Sequence, residues 1–199
     1  LGAAFSFGQT VHHVTPGSSV ELVVAAQNRP DETRHERFDA AALCAGHEAG
    51  SLLRPMGISL PLLPVYGYSL TAPVRHIDGL ADTGPRSALM DERYKVAMSR
   101  LGQRIRVAGS AEIGGRPDDI RNDALRTLYK VLEDWFPGAA DLPKAQHWKG
   151  ARPMLPDGPP VIGASGLPGV WVWSRAACSE PCWPESRRLR RARRLRWRL

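Results

Sequence analysis

The sequence predicts an α+β fold in which mixed or antiparallel sheets are flanked by helices. Short β-type segments separated by Gly, Pro and Ser turns recur along the chain, as at residues 20–26 after the Pro-Gly-Ser-Ser turn 16–19. Residues 120–135 instead place apolar side chains at helical spacing, and proline-containing turns bound this segment at both ends. No internal repeat is present. One strong helix among many strands therefore favours a sheet-rich fold.

The remaining elements follow from the same patterns, taken in chain order. Before the helix we expect strands at 4–7, 11–14, 20–26 and 38–46, an exposed charged loop at 30–37, and a helix at 47–56 that Gly57 ends. Further strands are expected at 62–71, 88–91, 94–99 and 104–110, the last two joined by a hairpin turn. After the helix we expect short strands at 161–162 and 170–173.

Charge and cysteine content divide the chain into a neutral body and a basic tail. Of 199 residues, 43% are hydrophobic and 24% charged, as in an ordinary globular protein. Residues 174–199 hold nine arginines and two glutamates, which accounts for the whole net charge of +7. The body contains one cysteine, Cys44, so no disulfide framework is expected and a reducing, cytoplasmic compartment is favoured. No apolar run is long enough to cross a membrane as a helix.

Metal ligands are not expected in this chain. His12 and His13 are adjacent on a predicted strand, so their rings should face opposite sides and cannot chelate one ion. Cys178 and Cys182 have no neighbouring histidines and no second cysteine pair, so they do not match a zinc site.

The segment 149–163 is the most specific local pattern. Arg152 is followed by Pro-Asp-Gly-Pro-Pro, which predicts a tight bend, and then by a short apolar strand. A rigid loop that holds a guanidinium could bind a small acid, because arginine pairs with a carboxylate through two parallel hydrogen bonds. The alternative is a surface turn with an ordinary solvated arginine.

Four segments, taken together, resemble the FAD-dependent D-amino-acid oxidase-like family. They are FDAAALCAG at 38–46, LPLLPVYGYSLT at 60–71, DERYKVA at 91–97 and GARPMLPDG at 150–158, in the order found in that family. Within the family they are most similar to the small subunits of bacterial D-amino-acid dehydrogenases. The resemblance covers roughly residues 1–173.

The resemblance implies an FAD-dependent enzyme that converts a D-amino acid, such as D-alanine, into a 2-oxo acid and ammonia. The substrate would pass a hydride to the flavin, and the electrons would go to a respiratory acceptor, with peripheral association on the cytoplasmic side of the inner membrane. No specific nucleic acid is expected as a partner. Arg152 would bind the substrate carboxylate with help from the hydroxyl of Tyr94, which could equally be a half-buried strand tyrosine. No residue is assigned a catalytic acid–base role.

Flavin contacts are implied at one strand end, at one backbone position and in the segment from Gly158 to Gly163 after Arg152. Small residues there would let the backbone approach the cofactor, although strands ending in Ala-Gly are common and a core valine is an alternative for the first position. These cofactor-binding positions are Val11, Cys44, Ala45, Gly46, Gly158 and Gly163.

Two departures from the family shape the expected domain organisation. The strand–GxGxxG–helix unit that grips the FAD pyrophosphate is absent, so residues 1–60 and 150–173 would form only a partial, Rossmann-like FAD-binding domain around a substrate-binding sheet at 61–149. Residues 174–199 lack the family's Gly-His-Gly loop and look like an out-of-frame or disordered tail. We therefore expect a piece of the enzyme that is inactive alone.

Other functions remain open on the sequence. A glycine- or sarcosine-type amine oxidase of the same family is one alternative. The arginine-rich tail could also bind nucleic acid or another anionic surface, and a non-catalytic, partly folded remnant is a third reading.

Overall fold

The computed structural model describes residues 2–76, 83–156 and 158–174. Strands dominate these residues and two α-helices accompany them. In chain order the elements are β1 (Gln9–Thr15), β2 (Val20–Ala26), β3 (Arg29–Phe38), β4 (Ala41–Leu43), α1 (Ala49–Leu53), β5 (Leu63–Pro73), β6 (Leu89–Asp91), β7 (Val96–Leu101), β8 (Arg104–Ile113), α2 (Asn122–Trp135), β9 (Gln146–Met154), β10 (Val161–Ala164) and β11 (Val170–Ser174).

The chain forms two compact units. Unit 1 consists of Leu1–Leu63 and Pro153–Leu199, and unit 2 of Pro64–Arg152. The sequence placed the corresponding divisions at 60/61 and 149/150. The tail at 174–199 lies, apart from Ser174, outside the described residues, as does Asp157 of the predicted bend.

Unit 1 contains two three-stranded sheets. Strands β1, β2 and β3 form an antiparallel sheet in that order. The prediction of a loop at 30–37 was wrong, because these residues belong to β3, whose charged side chains pair across the sheet: Glu21 on β2 contacts His35 and Arg37. Ion pairs between neighbouring strands let a polar, solvent-facing segment form a strand without apolar alternation. No strand forms at 4–7.

The second sheet of unit 1 has the order β10-β11-β4, in which β11 runs parallel to β4 and antiparallel to β10. The predicted strand at 38–46 is thus only three residues long, since 3-10 helix Gly46–Glu48 and α1 begin directly after it. Gly57, with φ of 80°, ends the following turn as expected. The core of the unit comprises Val14, Val20, Leu43, Ala49, Leu53, Val170 and Val172.

Unit 2 is a five-stranded sheet with the order β6-β7-β8-β5-β9 and helix α2 packed on one face. The helix buries Leu125, Leu128, Val131 and Leu132 against the sheet. Complete burial of each of these side chains contributes about 1.5–3 kcal/mol to folding. Strand β9 is at an edge of this sheet, with β5 as its only neighbour among the described strands.

Two site residues lie in elements other than those predicted. Arg152 is on the edge strand β9, not on the loop, because the strand continues past Pro153 to Met154 at a sheet edge, where a missing N–H is tolerated. Tyr94 lies in the turn between β6 and β7, where its backbone N donates to Asp91 Oδ1 (2.8 Å). The sheet-rich fold with few helices agrees with the prediction. No helix of the described residues is long and apolar enough to span a membrane.

Candidate functional site

Arg152 extends across the face of the unit 2 sheet that lies opposite α2. Its guanidinium lies directly over Gly67 on β5, where a side-chain Cβ would be only 2.5 Å from Cζ. Arg152 Nη1 donates a hydrogen bond to the carbonyl oxygen of Ser110 on β8 (3.1 Å). The absence of a side chain at Gly67 therefore allows Arg152 to reach β8, and one hydrogen bond fixes it there.

Two further side chains lie on the same face, which we call the Arg152 face (Gly67, Ser69, Arg106, Trp148 and Arg152). Arg106 lies over β5, with Nη2 3.4 Å from Ser69 Oγ, and its Cζ is 6.0 Å from the centre of the Trp148 ring. Trp148 is 57% exposed. The face thus combines two cations with an exposed aromatic ring, a surface suited to a small anion with an apolar part.

The opposite face of the same strands contains a buried polar group, which we call the Lys149 cluster (Lys149, Glu112, Tyr66 and Tyr68). Lys149 Nζ is 2.8 Å from Glu112 Oε2, and its side chain is only 2% exposed. Tyr68 donates its hydroxyl hydrogen to Glu112 as well. The rings of Tyr66 and Tyr68 have their centres 4.6 and 5.2 Å from Lys149 Nζ.

The charges of this cluster stabilise one another. The hydrogen bond from Lys149, followed by that from Tyr68, lowers the pKa of Glu112 below its usual 4.5. Desolvation by itself would lower the pKa of Lys149, but the hydrogen bonds with Glu112 and Tyr68 outweigh it and raise that pKa. Both groups are therefore ionised at neutral pH.

The structure does not bring Tyr94 to Arg152. Tyr94 precedes β7 and packs against the core beneath α2, with Lys130 Nζ 5.5 Å from its ring centre. Arg152 is on β9, three strand positions from β7 in the sheet order. At about 4.8 Å per strand the backbones of β7 and β9 are roughly 14 Å apart. The Arg152 guanidinium itself reaches β8, the neighbour of β7, so the two side chains are kept apart because they lie on opposite faces of the sheet. A carboxylate could not contact both side chains in this arrangement.

Most of the predicted cofactor positions cluster at one end of the small sheet in unit 1. Cys44, Ala45 and Gly46 follow the carboxyl end of β4, and β11 ends at the same side because it is parallel to β4. Val161 pairs with Ser174, so β10 starts at this end too, shortly after Gly158. The carboxyl ends of parallel strands are where ligands bind in open α/β sheets.

Two glycines at this end have positive φ. Gly46 and Gly158 have φ of 58° and 82°, and a Cβ at either position would meet no atom of the described residues within 4 Å. Ser174 Oγ is buried, and no described group forms a hydrogen bond with it. Small residues and a buried unpaired hydroxyl are compatible with FAD contacts through backbone and side chain.

The two other cofactor positions are placed differently. Val11 is on β1, and its partly buried side chain packs against the apolar core of unit 1. Gly163 is the third residue of β10 and pairs with Val172, which in turn pairs with Leu43, the last residue of β4. A shallow cleft of about 420 Å³ along α1, lined by residues such as His47 and Arg54, contains none of the predicted positions. No group of three potential metal ligands occurs in the described residues.

The sequence analysis overlooked Gly67, Trp148 and the Lys149 cluster. The Tyr-Gly-Tyr sequence at 66–68 gave a usable signal, because a glycine between two strand tyrosines often marks a close approach by another group. The pairing of Lys149 with Glu112 depends on which strands are neighbours, and no local pattern reveals it.

Comparisons with known proteins are consistent across most of the chain. Residues 1–178 match the family model described as FAD dependent oxidoreductase. A D-amino acid dehydrogenase of Allorhizobium ampelinum is 43% identical over 173 residues, covering 86% of this chain and 38% of that protein. The D-amino acid dehydrogenase of Rhodopseudomonas palustris is 44% identical over 168 residues, covering 84% and 37%. The chain thus spans under two fifths of the length of these relatives.

Solved structures with the same fold are more distant in sequence. Glycine oxidase from Geobacillus kaustophilus gives a TM-score of 0.64 at 18% identity, covering 84% of this chain and 42% of that one. Iminodiacetate oxidase from a Chelativorans species gives 0.62 at 19% identity, covering 81% and 42%. At such identities these structures support the fold.

Proposed function

Because the chain belongs to the family of FAD dependent oxidoreductases, we propose that it is part of an enzyme that oxidatively deaminates D-amino acids, with Arg152 as the residue that binds the substrate carboxylate. D-alanine is the representative substrate, and a 2-oxo acid and ammonia are the products. The identity of 42–44% to several D-amino acid dehydrogenases supports this substrate class.

The position of Arg152 carries the proposal. Its guanidinium is held on the sheet by Gly67 and by the carbonyl of Ser110, while a guanidinium has five N–H donors in a fixed plane. The single bond to Ser110 leaves an edge with two parallel donors for a carboxylate. Since the side chain is held before ligand arrives, little rotamer freedom is lost on binding.

Arg152 would orient the substrate rather than take part in bond breaking. Binding of the carboxylate fixes the direction of the Cα–H bond. Orientation of this kind lowers the activation free energy of hydride transfer, because the bound substrate is already in the reactive geometry. The bound FAD would supply the redox chemistry by accepting the hydride from Cα. The exposed ring of Trp148 would pack against the apolar part of the substrate and exclude water.

We assign residues 1–60 and 150–173 to a partial, Rossmann-like FAD-binding domain and residues 61–149 to the substrate-binding sheet. The segment Cys44, Ala45 and Gly46, together with Gly158, would contact the flavin nucleotide through backbone groups. Val11 and Gly163 would contribute backbone contacts only. We further assign a cytoplasmic location, a respiratory electron acceptor and peripheral association with the inner membrane.

Ligand titration tests the carboxylate assignment and the substrate class together. With the full chain in solution, NMR should show saturable binding of D-alanine with Kd on the order of 1–10 mM, as expected for about 3–4 kcal/mol. Arg152→Met should abolish it and Arg152→Lys should weaken it, because a lysine cannot form the two parallel bonds. Glycine or sarcosine binding more tightly than D-alanine would instead favour a glycine- or sarcosine-type oxidase.

A further inference from the structure

We propose that Lys149 and Glu112 form a latch that fixes the edge strand β9, and that both are thereby positioning residues for carboxylate binding by Arg152. The proposal rests on the proposed function, in which Arg152 binds the carboxylate. It assigns a role to the Lys149 cluster, which lies on the opposite face of the sheet from Arg152.

The need for a latch follows from the position of β9 in the sheet. An inner strand is held by two neighbours, whereas in the part of the chain that the structure describes β9 has only β5 beside it. Edge strands of this kind slip or fray more readily than inner strands. A one-residue slip would move Arg152 to the face occupied by α2, because successive side chains point to opposite faces.

Lys149 supplies connections that the strand pairing does not. Its ammonium binds Glu112 Oε2 on β8 (2.8 Å) and donates to the carbonyl oxygen of Asp119 in the segment before α2 (2.6 Å). The rings of Tyr66 and Tyr68 on β5 enclose its remaining side. One side chain of β9 is therefore bound to three other segments of unit 2.

The latch and Arg152 act on the same strands from opposite faces. Arg152 reaches across β5 to Ser110 on β8, and Lys149 reaches across β5 to Glu112, two residues further along β8. Gly67, beneath the Arg152 guanidinium, is flanked by the two tyrosines that enclose Lys149. A shift of β9 relative to β8 would therefore change both contacts together.

The glycine at position 115 provides an independent way to open the latch. A Cβ at Gly115 would lie 2.9 Å from Glu112 Oε2 and closer still to Oε1. The carboxylate would have to move, and Lys149 would lose its partner while both charged residues remain in the chain. Because a buried charge without a partner is strongly unfavourable, the whole cluster would rearrange.

The test combines a structural readout at Arg152 with ligand affinity. In the full chain, the order parameter of the Arg152 Nε–H group is measured by NMR, and its signal is identified by its loss in Arg152→Met. D-alanine affinity is measured on the same samples. The variants are Lys149→Met, Lys149→Arg and Gly115→Ala, and the control is Met98→Ala, a core substitution on β7 chosen to lower the unfolding midpoint while all four residues of the Lys149 cluster stay in the chain.

If the latch positions Arg152, Lys149→Met and Gly115→Ala lower the Arg152 Nε order parameter and weaken D-alanine binding at least tenfold. Lys149→Arg then stays within threefold of the unmodified chain, and Met98→Ala changes neither property. The proposal is overturned if Lys149→Met and Gly115→Ala lower the unfolding midpoint but leave the order parameter unchanged. If Arg152→Met leaves D-alanine affinity intact, the proposed function fails while the latch is still judged by the order parameter.

Discussion

Substituting Gly67 by alanine would add a single carbon atom, Cβ, directly beneath the Arg152 guanidinium. The added Cβ would lie 2.5 Å from Cζ and 2.6 Å from Nη1 of Arg152, whereas an ordinary contact requires about 3.5 Å. The backbone of β5 is paired on both sides, so the flexible end of the arginine should move instead. The guanidinium is therefore displaced by about 1 Å, which lengthens its 3.1 Å hydrogen bond to Ser110 beyond bonding distance.

The expected consequence is larger for binding than for folding. Loss of one charge-assisted hydrogen bond to the carboxylate corresponds to about 1.5–3 kcal/mol, or roughly a 10- to 150-fold increase in Kd for D-alanine. Folding loses the bond to Ser110 but gains up to about 1 kcal/mol, because alanine is better tolerated in a strand than glycine. We therefore expect destabilisation of only about 1–2 kcal/mol.

The assay is D-alanine titration followed by NMR, with denaturant unfolding of the same variant. Gly50→Ala is the matched control, since its nearest neighbouring atom would be 3.9 Å away, an ordinary contact, and neither affinity nor fold should suffer. Unchanged D-alanine affinity in Gly67→Ala would refute the placement of Arg152 as the carboxylate-binding group. If Gly50→Ala also lowered the affinity for D-alanine, the effect of Gly67→Ala could not be attributed to the displacement of Arg152.

Three further outcomes are expected. Tyr94→Phe should leave D-alanine affinity within twofold, because Tyr94 packs on the α2 side of the sheet and Arg152 lies on the opposite face; a tenfold loss by titration would contradict the arrangement. The pKa of Glu112 is lowered in the folded state, so its stabilisation is present above pH 4.5 and is lost as pH falls through the lower folded value. Between about pH 5 and about pH 3, the free energy of unfolding measured with urea should thus fall more steeply for the unmodified chain than for Glu112→Gln. An equal pH dependence in both proteins would contradict this prediction. Ser174→Ala should leave the free energy of unfolding unchanged or raise it by about 1 kcal/mol, because the buried hydroxyl has no hydrogen-bond partner among the described residues. Marked destabilisation in the same assay would contradict this and show that the hydroxyl has a partner.

The sequence predicted the strands whose apolar residues alternate or form continuous runs. The run at 20–26 and the amphipathic segment of α2 appear within two residues of their predicted bounds. Strand β3 could not be predicted from its own residues, since its charged side chains find partners such as Glu21 only on the neighbouring strand. Sheet pairing is a nonlocal property that short-range patterns do not contain.

For the same reason, only part of the candidate site could be predicted from the sequence. Arg152 was recognisable from its motif, and the small residues at 44–46 from their position after a strand. The rigid loop predicted from the Pro-rich bend hid the fact that Arg152 belongs to a strand, and the pattern around Tyr94 did not indicate on which face its ring packs. Gly67 and Lys149 became meaningful only when β5, β8 and β9 were known to be neighbours.

The most direct measurement compares D-alanine with D-alaninamide on the full chain while the Arg152 Nε–H signal is followed by NMR. The two ligands differ in the carboxylate alone. D-alanine should shift the Arg152 signal in a saturable way, and D-alaninamide should leave it in place at the same concentrations. An equal response to both ligands, or a D-alanine response confined to other residues, would contradict the assignment of Arg152 as the carboxylate-binding residue.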